Sequence, residues 1–390
     1  MKKILLITLE HPPTVGGIAT YCHDLALALA HDQVVVLAPA GRDRYATEEG
    51  KLAWDKEQPY KIIRKKLLWP KFIWPRWLRL VWTVWQIRKQ EKIEIIFVQQ
   101  VLPVGYVAVL MKKFFKVTFL LFSHGTDLLA PQRRGWKKKM VRLVSRRAEQ
   151  IIFNSESLKR RYLRVLPEFG NKSLVLYPCP DPEFLEPPAP AELGRLKTQY
   201  ALEGKQVLLS VSRLDEGKGF PHLINALPKI LVHNPHLVWF IIGDGPKRDI
   251  ITKLIRERNL QNVVRFVGEV SHPNLHPYYY LADLFVLLTH PDEGREEGLG
   301  LVFLEASAAG LPIVAGRSGG VEEAVLDGQT GLIVEATNGA QVIEAIAGLL
   351  ERPADAKQLG KNARARITKD FVWGEQVAKL APWINNTENT

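Results

Sequence analysis

Cysteine is almost missing from this chain: Cys22 and Cys179 are the only two in 390 residues, and neither lies in a Cys-x-x-Cys pattern. A disulfide framework is therefore excluded, and the expectation is two buried, reduced thiols in a cytoplasmic protein. No apolar run approaches the roughly 20 residues that span a bilayer. The N-terminus carries Lys2 and Lys3, but its apolar stretch meets Glu10 and His11 without a small-residue cleavage site. It reads as a first strand, not as a signal peptide. No Asp-x-Asp pair occurs, and no His/Cys cluster has metal-ligand spacing. Acid is in short supply: 41 Asp and Glu against 53 Lys and Arg leave a net charge of +12. That excess suits an anionic partner. No RNA- or DNA-binding motif accompanies it, so nucleic acid is not expected.

What is present is ordinary globular composition, 46% hydrophobic and 24% charged, in a chain long enough for two domains with separate cores. Strand-like runs occupy residues 2–9, 33–39, 61–67, 93–100, 116–124, 150–155 and 173–178, with helical patterns between several of them. A proline-rich stretch follows (Pro178, Pro180, Pro182, Pro187, Pro188, Pro190) and marks a boundary. Strand patterns resume at 206–214, 237–245, 263–270, 284–290, 312–316 and 331–335. Trp239 to Gly243 and Leu284 to Leu288 are near-continuous apolar runs, as buried parallel strands are. The inference is an α/β protein of two doubly wound parallel sheets facing across a cleft. Its domains are expected at 1–185 and 195–370, with a helical segment from about 371 to 384.

Four segments carry chemistry. In residues 296 to 312, Glu297 and Glu305 stand eight positions apart around Gly298-Leu299-Gly300, and a helix-forming stretch follows up to Gly310 and Pro312. A glycine turn opening a helix presents unpaired N–H groups and a positive dipole end. Carboxylates only accept hydrogen bonds, so two of them near an anion site are suited to gripping hydroxyls of a sugar or ribose. Taken alone, the motif would read as a capped helix. Upstream, an aliphatic run from Val207 ends in Arg213, and Lys218 lies in a glycine-flanked turn. Arginine offers a planar fork to phosphate oxygens and lysine a point charge. At the other end, strand-like residues 2 to 9 run into Thr14-Val15-Gly16-Gly17 and then a helical pattern from Ala19 to Ala30. Between them, Phe122-Ser123-His124-Gly125-Thr126-Asp127 follows the apolar run from Val117. Gly243-Asp244-Gly245-Pro246 reads as a tight turn after a strand.

These segments, in this order and spacing, resemble the retaining glycosyltransferases of family 4, which have the GT-B fold of two Rossmann-like domains. The resemblance runs from Gly16-Gly17 to Gly328-Gln329-Thr330-Gly331. The Glu297/Glu305 spacing is its most specific element, Arg213 with Lys218 nearly as specific, and Gly16-Gly17 weak alone. Glu-Gly-Leu-Gly before Leu-Val-Phe-Leu-Glu-Ala looks most like the branch of phosphatidylinositol-mannoside mannosyltransferases. The resemblance implies an N-terminal acceptor domain (1–185, completed by the C-terminal segment 371–390) and a nucleotide-sugar donor domain (195–370). It implies a retaining hexosyltransferase that works by front-face displacement, with the leaving diphosphate helping to deprotonate the incoming hydroxyl. Glu305 would hold the ribose and Glu297 the transferred sugar. Backbone N–H groups of Gly298, Leu299, Gly300 and Leu301 would meet sugar hydroxyls and phosphate, and Gly16 and Gly17 would approach the donor. His124 would hydrogen-bond the donor sugar, Asp127 would orient His124 or face the acceptor, and Thr126 would cap the turn. Ser318-Gly319-Gly320 with Glu323 resembles the family's supporting loop. Arg213 and Lys218, helped by helix-end N–H groups, would neutralise the diphosphate without a divalent ion, so no metal and no cofactor are expected. A GDP-sugar is favoured over a UDP-sugar, mannose as the sugar, and a lipid or lipid-linked glycan as acceptor. The alternatives are a UDP-sugar hexosyltransferase with a soluble acceptor, a nucleotide-sugar 2-epimerase, or an inactive membrane-bound scaffold. One departure is the segment His290 to Arg295, longer and more charged than the serine-rich segment of many relatives.

The basic residues are clustered, and all three clusters lie in the first half. Residues 61–89 interleave Trp69, Trp74, Trp77, Trp82 and Trp85 with Lys and Arg. Residues 133–139 and Lys159-Arg160-Arg161 add two more clusters. Indole and cations together suit an anionic membrane surface, which implies peripheral attachment at the inner face of the cell membrane. For residues 80 to 89 a core helix is the better reading. There Arg76, Arg79, Thr83, Gln86 and Gln90 form a polar stripe on a mostly apolar helix. For the loop Leu67 to Trp77, docking and burial weigh equally.

Overall fold

The computed structural model describes residues 1–43, 46–70, 75–125, 135–292 and 296–385. It divides into two compact units: Met1–Pro178 with the C-terminal stretch from Trp373, and Cys179–Val372.

In the first unit, seven strands form one parallel sheet in the order β3-β2-β1-β4-β5-β6-β7. They are β1 Ile4–Ile7, β2 Val34–Pro39, β3 Lys61–Lys65, β4 Ile95–Val98, β5 Thr118–Ser123, β6 Gln150–Phe153 and β7 Ser173–Val175. Helices α1 Gly17–Ala28, α2 Glu48–Lys56, α3 Leu78–Glu91, α4 Val104–Phe115, α5 Gly135–Arg147 and α6 Glu156–Val165 connect them. Successive strand residues point to opposite faces, so each strand feeds two cores. Leu5, Ile7, Val35, Leu37, Ile96 and Val98 pack under α3, α4, α5 and α6. Ile4, Leu6, Val34, Val36, Ile95 and Phe97 pack under α1 and the C-terminal residues Leu380 and Ile384.

The second unit is a six-stranded parallel sheet, β10-β9-β8-β11-β12-β13. Its strands are β8 Gln206–Val211, β9 Leu237–Ile242, β10 Val264–Gly268, β11 Leu284–Leu287, β12 Ile313–Gly316 and β13 Leu332–Val334. The helices are α7 Pro190–Gln199, α8 Phe220–His233, α9 Arg248–Glu257, α10 His276–Leu281, α11 Leu301–Ala308, α12 Val321–Ala324, α13 Gly339–Glu351 and α14 Pro353–Asp370. The chain then returns to the first unit as two short helices, α15 Trp373–Ala378 and α16 Ala381–Ile384. The Lys2 N–H donates to the Ile384 carbonyl at 2.6 Å and the Lys2 ammonium to that of Trp383 at 2.8 Å. Trp373 meets Tyr21 edge-on at 5.5 Å. In both sheets the strand order reverses once, between β1 and β4 and between β8 and β11. Such reversals open a crevice at the carboxyl ends of the two strands.

The core-helix reading of residues 80 to 89 holds, since Leu80, Val84 and Ile87 join the core, but the polar stripe is not a solvent face. The polar stripe proposed for the stretch after Pro75 does not face solvent as a unit: Thr83 is buried and donates its hydroxyl to the Arg79 carbonyl at 3.0 Å. The buried line is Leu80, Thr83, Val84 and Ile87, while Trp82 is 60% exposed. A threonine can return its hydroxyl to the helix backbone and bury its methyl, so it satisfies a core position that a charged residue would not. In the loop before it, Leu67 is buried and Trp69 and Trp77 are half-buried, Trp77 against Tyr106 at 5.2 Å. Trp74 lies outside the described residues.

Candidate active site

The reversal between β8 and β11 is where the second unit gathers its charged groups. After β8 the chain runs Ser212 to Gly219 and enters α8. Gly219 has φ +75°, and a Cβ there would overlap the Leu288 carbonyl, so only glycine lets this turn lie against the end of β11. The approach delivers Lys218 to Glu297: the ammonium donates to Oε2 at 2.6 Å, with both side chains mostly buried. Burial raises the Glu297 carboxyl, but the Lys218 charge, its hydrogen bond and the Gly298 amide together outweigh that and hold it below the usual carboxylate range. Glu297 is therefore an anion whose ammonium partner retains further N–H donors for another ligand.

The backbone of Glu297 is fixed as well. Its N–H donates to Ser318 Oγ at 3.2 Å, and its carbonyl accepts from the Gly320 N–H at 3.1 Å. Gly319, at φ +55°, lies so close that a Cβ would overlap the Glu297 carbonyl. Gly300, at φ +84°, then starts α11 at Leu301, so the apolar run Leu301 to Leu304 is already helix, with Leu299 buried beside it. The first-turn N–H groups of α11 thus begin at Leu301, four residues after Glu297.

Glu305, one turn into α11, is 2% exposed and held on both oxygens. Oε2 accepts the Tyr279 hydroxyl at 2.5 Å, and Oε1 lies 3.0 Å from His272 Nε2. Burial and the Glu305 charge push the Tyr279 phenol well above its ordinary pKa, so it remains a donor. Phe184, from the connecting segment, packs against His272 and Tyr279 at 5.4 Å each. Neither His272 nor Tyr279 was picked out by sequence. Their only signal is an aromatic run, Tyr278-Tyr279-Tyr280, too common in cores to point to a carboxylate.

Arg213 does not join this cluster. Its side chain is 66% exposed, with Nε 3.6 Å from Asp215 Oδ2. Its backbone is nonetheless seated: the Leu214 N–H donates to the Asp244 carbonyl at 3.1 Å, and the Gly243–Pro246 turn packs directly beneath Ser212 to Leu214. Among the described residues, no three His, Cys, Asp or Glu side chains converge as metal ligands.

In the first unit, the reversal lies between β1 and β4. Gly16 precedes α1, and around Gly17 a Cβ would meet nothing within 4 Å, so backbone is open there. The loop before it is tied down from two sides. Thr14 donates to Asp43 at 2.8 Å, and Arg64, bidentate to Asp55 at 2.7 and 2.8 Å, also donates to the Pro12 carbonyl. His124 follows β5. Its Nε2 lies 2.9 Å from Gln99 Oε1, and its ring meets Tyr21 edge-on at 4.8 Å. Burial pulls its pKa down to about 4, so the imidazole is neutral at physiological pH and Nε2–H is the donor to Gln99. Asp127 and Thr126 lie outside the described residues, as do Glu293, Gly294 and Arg295.

Two doubly wound sheets, one with an acid and a lysine paired across its switch point, place a candidate site where ligands of open α/β sheets bind. Comparison with known proteins is more specific. The family model "Glycosyltransferase Family 4" matches residues 15–184, and "Glycosyl transferases group 1" matches residues 195–366. The chain is 28% identical, over its full length and 99% of the relative, to a GDP-mannose-dependent alpha-(1-6)-phosphatidylinositol monomannoside mannosyltransferase of Mycobacterium tuberculosis. It is 27% identical, over 95% of its length and 91% of the relative, to the glycogen synthase of that organism. A crystal structure of Anabaena HepE in complex with UDP and glucose superposes with a TM-score of 0.80 at 21% identity, covering 98% of this chain and all of that one. The chain belongs to the family 4 glycosyltransferases, with the GT-B fold, and is a hexosyltransferase.

Proposed function

We propose that the protein transfers mannose from GDP-mannose to a lipid or lipid-linked glycan, with retention of anomeric configuration and without a metal ion. The observation that carries the proposal is the Lys218–Glu297 pair at 2.6 Å across the β8/β11 reversal, directly before the N-terminus of α11. On this reading Lys218, Arg213 and the α11 amide groups neutralise the departing diphosphate. Lys218 stands next to Glu297, the group assigned to the transferred sugar. Exposed Arg213 is free to turn toward phosphate oxygens when its loose contact with Asp215 is exchanged. Glu305 accepts ribose hydroxyls through lone pairs not taken by Tyr279 and His272. Backbone of Gly298 to Leu301 and of Gly16 and Gly17 meets the sugar and phosphates. His124 is assigned to the donor sugar as a neutral hydrogen-bonding group, which its depressed pKa supports, and Asp127 to the acceptor side.

The bond from the sugar C1 to the phosphate oxygen breaks, and the bond from C1 to the acceptor oxygen forms on the same face. The acceptor's proton passes to the departing phosphate oxygen. GDP-mannose and a lipid acceptor are supported by full-length likeness to a mannosyltransferase whose name contains both. A lipid acceptor in turn implies work at the cytoplasmic membrane face. Among the described residues no helix is long and apolar enough to cross a membrane.

The test is release of nucleotide and sugar from a panel of GDP- and UDP-sugars, with and without acceptor, in EDTA and in magnesium. GDP-mannose turnover unchanged by EDTA is expected. Preference for a UDP-sugar would replace the donor assignment, a strict magnesium requirement would end the metal-free one, and no turnover of any donor would leave a scaffold.

A further inference from the structure

The topology collects the basic clusters on one side of one sheet. Helices α3, α4, α5 and α6 all cover the same face of the seven-stranded sheet, over a single core. Together they carry fifteen Lys and Arg residues against two acids, Glu91 and Glu156. The helices on the opposite face differ: α1 and α2 hold Asp24, Glu48, Glu49 and Asp55 against Lys51 and Lys56. Neighbouring Glu149 and Glu168 pair with Lys112 and Arg142, which leaves the layer strongly positive.

The same layer also exposes aromatic rings. Among the described residues, the large aromatic side chains most exposed are Trp82 on α3, Phe114 on α4 and Trp136 on α5, at 60%, 63% and 59%. Cations stand over these rings or their neighbours: Lys89 over Trp85 at 4.9 Å, Lys113 over Phe114 at 5.2 Å and Lys137 over Trp136 at 5.6 Å. Trp85 in turn lies 4.9 Å from Trp82. Because all helices of a doubly wound sheet run in one direction, Trp136, at the start of α5, and Phe114, at the end of α4, mark opposite ends of the layer. Anchors spread from one end of a helical layer to the other suit an extended flat partner better than a groove-bound segment. A ring under an ammonium is the arrangement that places indole at headgroup depth and charge against anionic lipid.

We infer that the α3–α6 layer, with Trp82, Phe114 and Trp136 as its inserted rings, is the face by which this protein lies on an anionic bilayer. The inference deepens the reading of a lipid-linked acceptor and moves the contact from the 67–77 loop, whose described tryptophans are half-buried, to the helices behind it. The partner is lipid and not nucleic acid: each cation-capped ring is on a helix surface, without the groove that single strands require.

The experiment is co-sedimentation of the full chain with vesicles of phosphatidylcholine alone or with about 30 mol% phosphatidylglycerol, which supplies the anionic surface. Donor hydrolysis in solution is measured in parallel. Binding to the anionic vesicles, weakened by salt, is expected. W82A/F114A/W136A should weaken it at least tenfold. K137E/K138E/K139E, which leaves the rings in place, should weaken it about as much. Both variants should retain wild-type circular dichroism and donor hydrolysis. Unchanged binding by both variants, equal binding to neutral vesicles, or displacement from vesicles by a single-stranded RNA at lower concentration than by free phosphatidylglycerol would overturn the inference. Loss of donor hydrolysis in the wild type would instead strike the transferase reading and leave the vesicle result standing.

Discussion

At the strand reversal of the second unit two full charges face each other, Lys218 and Glu297 at 2.6 Å. At that of the first unit a neutral imidazole rests on a carboxamide, His124 on Gln99 at 2.9 Å. The sheets are built alike, yet the pair across one reversal is ionic and the pair across the other is neutral. Surfaces differ as well: the first unit carries a strongly basic helical layer, α3 to α6. Charge placed at a water-poor strand end acts strongly on a bound diphosphate, whereas the same charge on a helix surface is screened within about 8–10 Å in physiological salt. The contrast suggests a division of work, chemistry on a phosphorylated ligand in one unit and broad adhesion on the other.

Substitutions can break that contrast, beginning with the largest effect. Lys218→Ala should lower kcat/KM with the nucleotide-sugar about a thousandfold, roughly 4 kcal/mol, while Lys138→Ala leaves solution turnover unchanged; equal losses would erase the distinction between the two kinds of cation. Steady-state assays with a water-soluble acceptor decide it. Glu305→Gln should raise the donor KM about tenfold with a smaller change in kcat, because a carboxamide replaces one acceptor oxygen with a donor. Tyr279→Phe removes a donor from a buried carboxylate, and denaturant unfolding should show a loss of about 1–3 kcal/mol.

Acid sensitivity separates the two crevices further. The Glu297 carboxyl is held below its ordinary pKa in the folded state, so its pairing with Lys218 contributes fully above the usual carboxylate range and is lost as pH falls below it. Melting temperature followed against pH should therefore drop more steeply on the acid side for wild type than for Glu297→Gln. His124 is depressed to about 4, so it gains a proton only in acid. No break in the rate profile near pH 6.5 should disappear in His124→Asn, and one that did would show the imidazole to be charged during turnover. This is the smallest effect expected.

All thirteen strands were legible, the central ones because buried parallel strands leave uninterrupted apolar runs. The half-buried edge strands β3 and β10 were legible through shorter apolar stretches broken by Lys and Arg, and the proline cluster announced the passage between units. Glu297 and Lys218 were legible through spacing and flanking glycines. Contacts made by side chains distant in sequence were not. His272 and Tyr279 come to Glu305 from a 3-10 turn and α10, respectively, and nothing in their local pattern distinguishes a ring that meets a carboxylate from one that fills space. Thr83 misled for the opposite reason: it was counted polar by composition, but its hydroxyl is spent on its own helix.

The phenol of Tyr279 makes the second unit its own optical indicator. Its near-ultraviolet absorption depends on how strongly the hydroxyl donates to Glu305. Any molecule that claims part of that carboxylate must alter the ring's difference spectrum, so occupancy could be followed in unlabelled protein, and Tyr279→Phe would silence the signal.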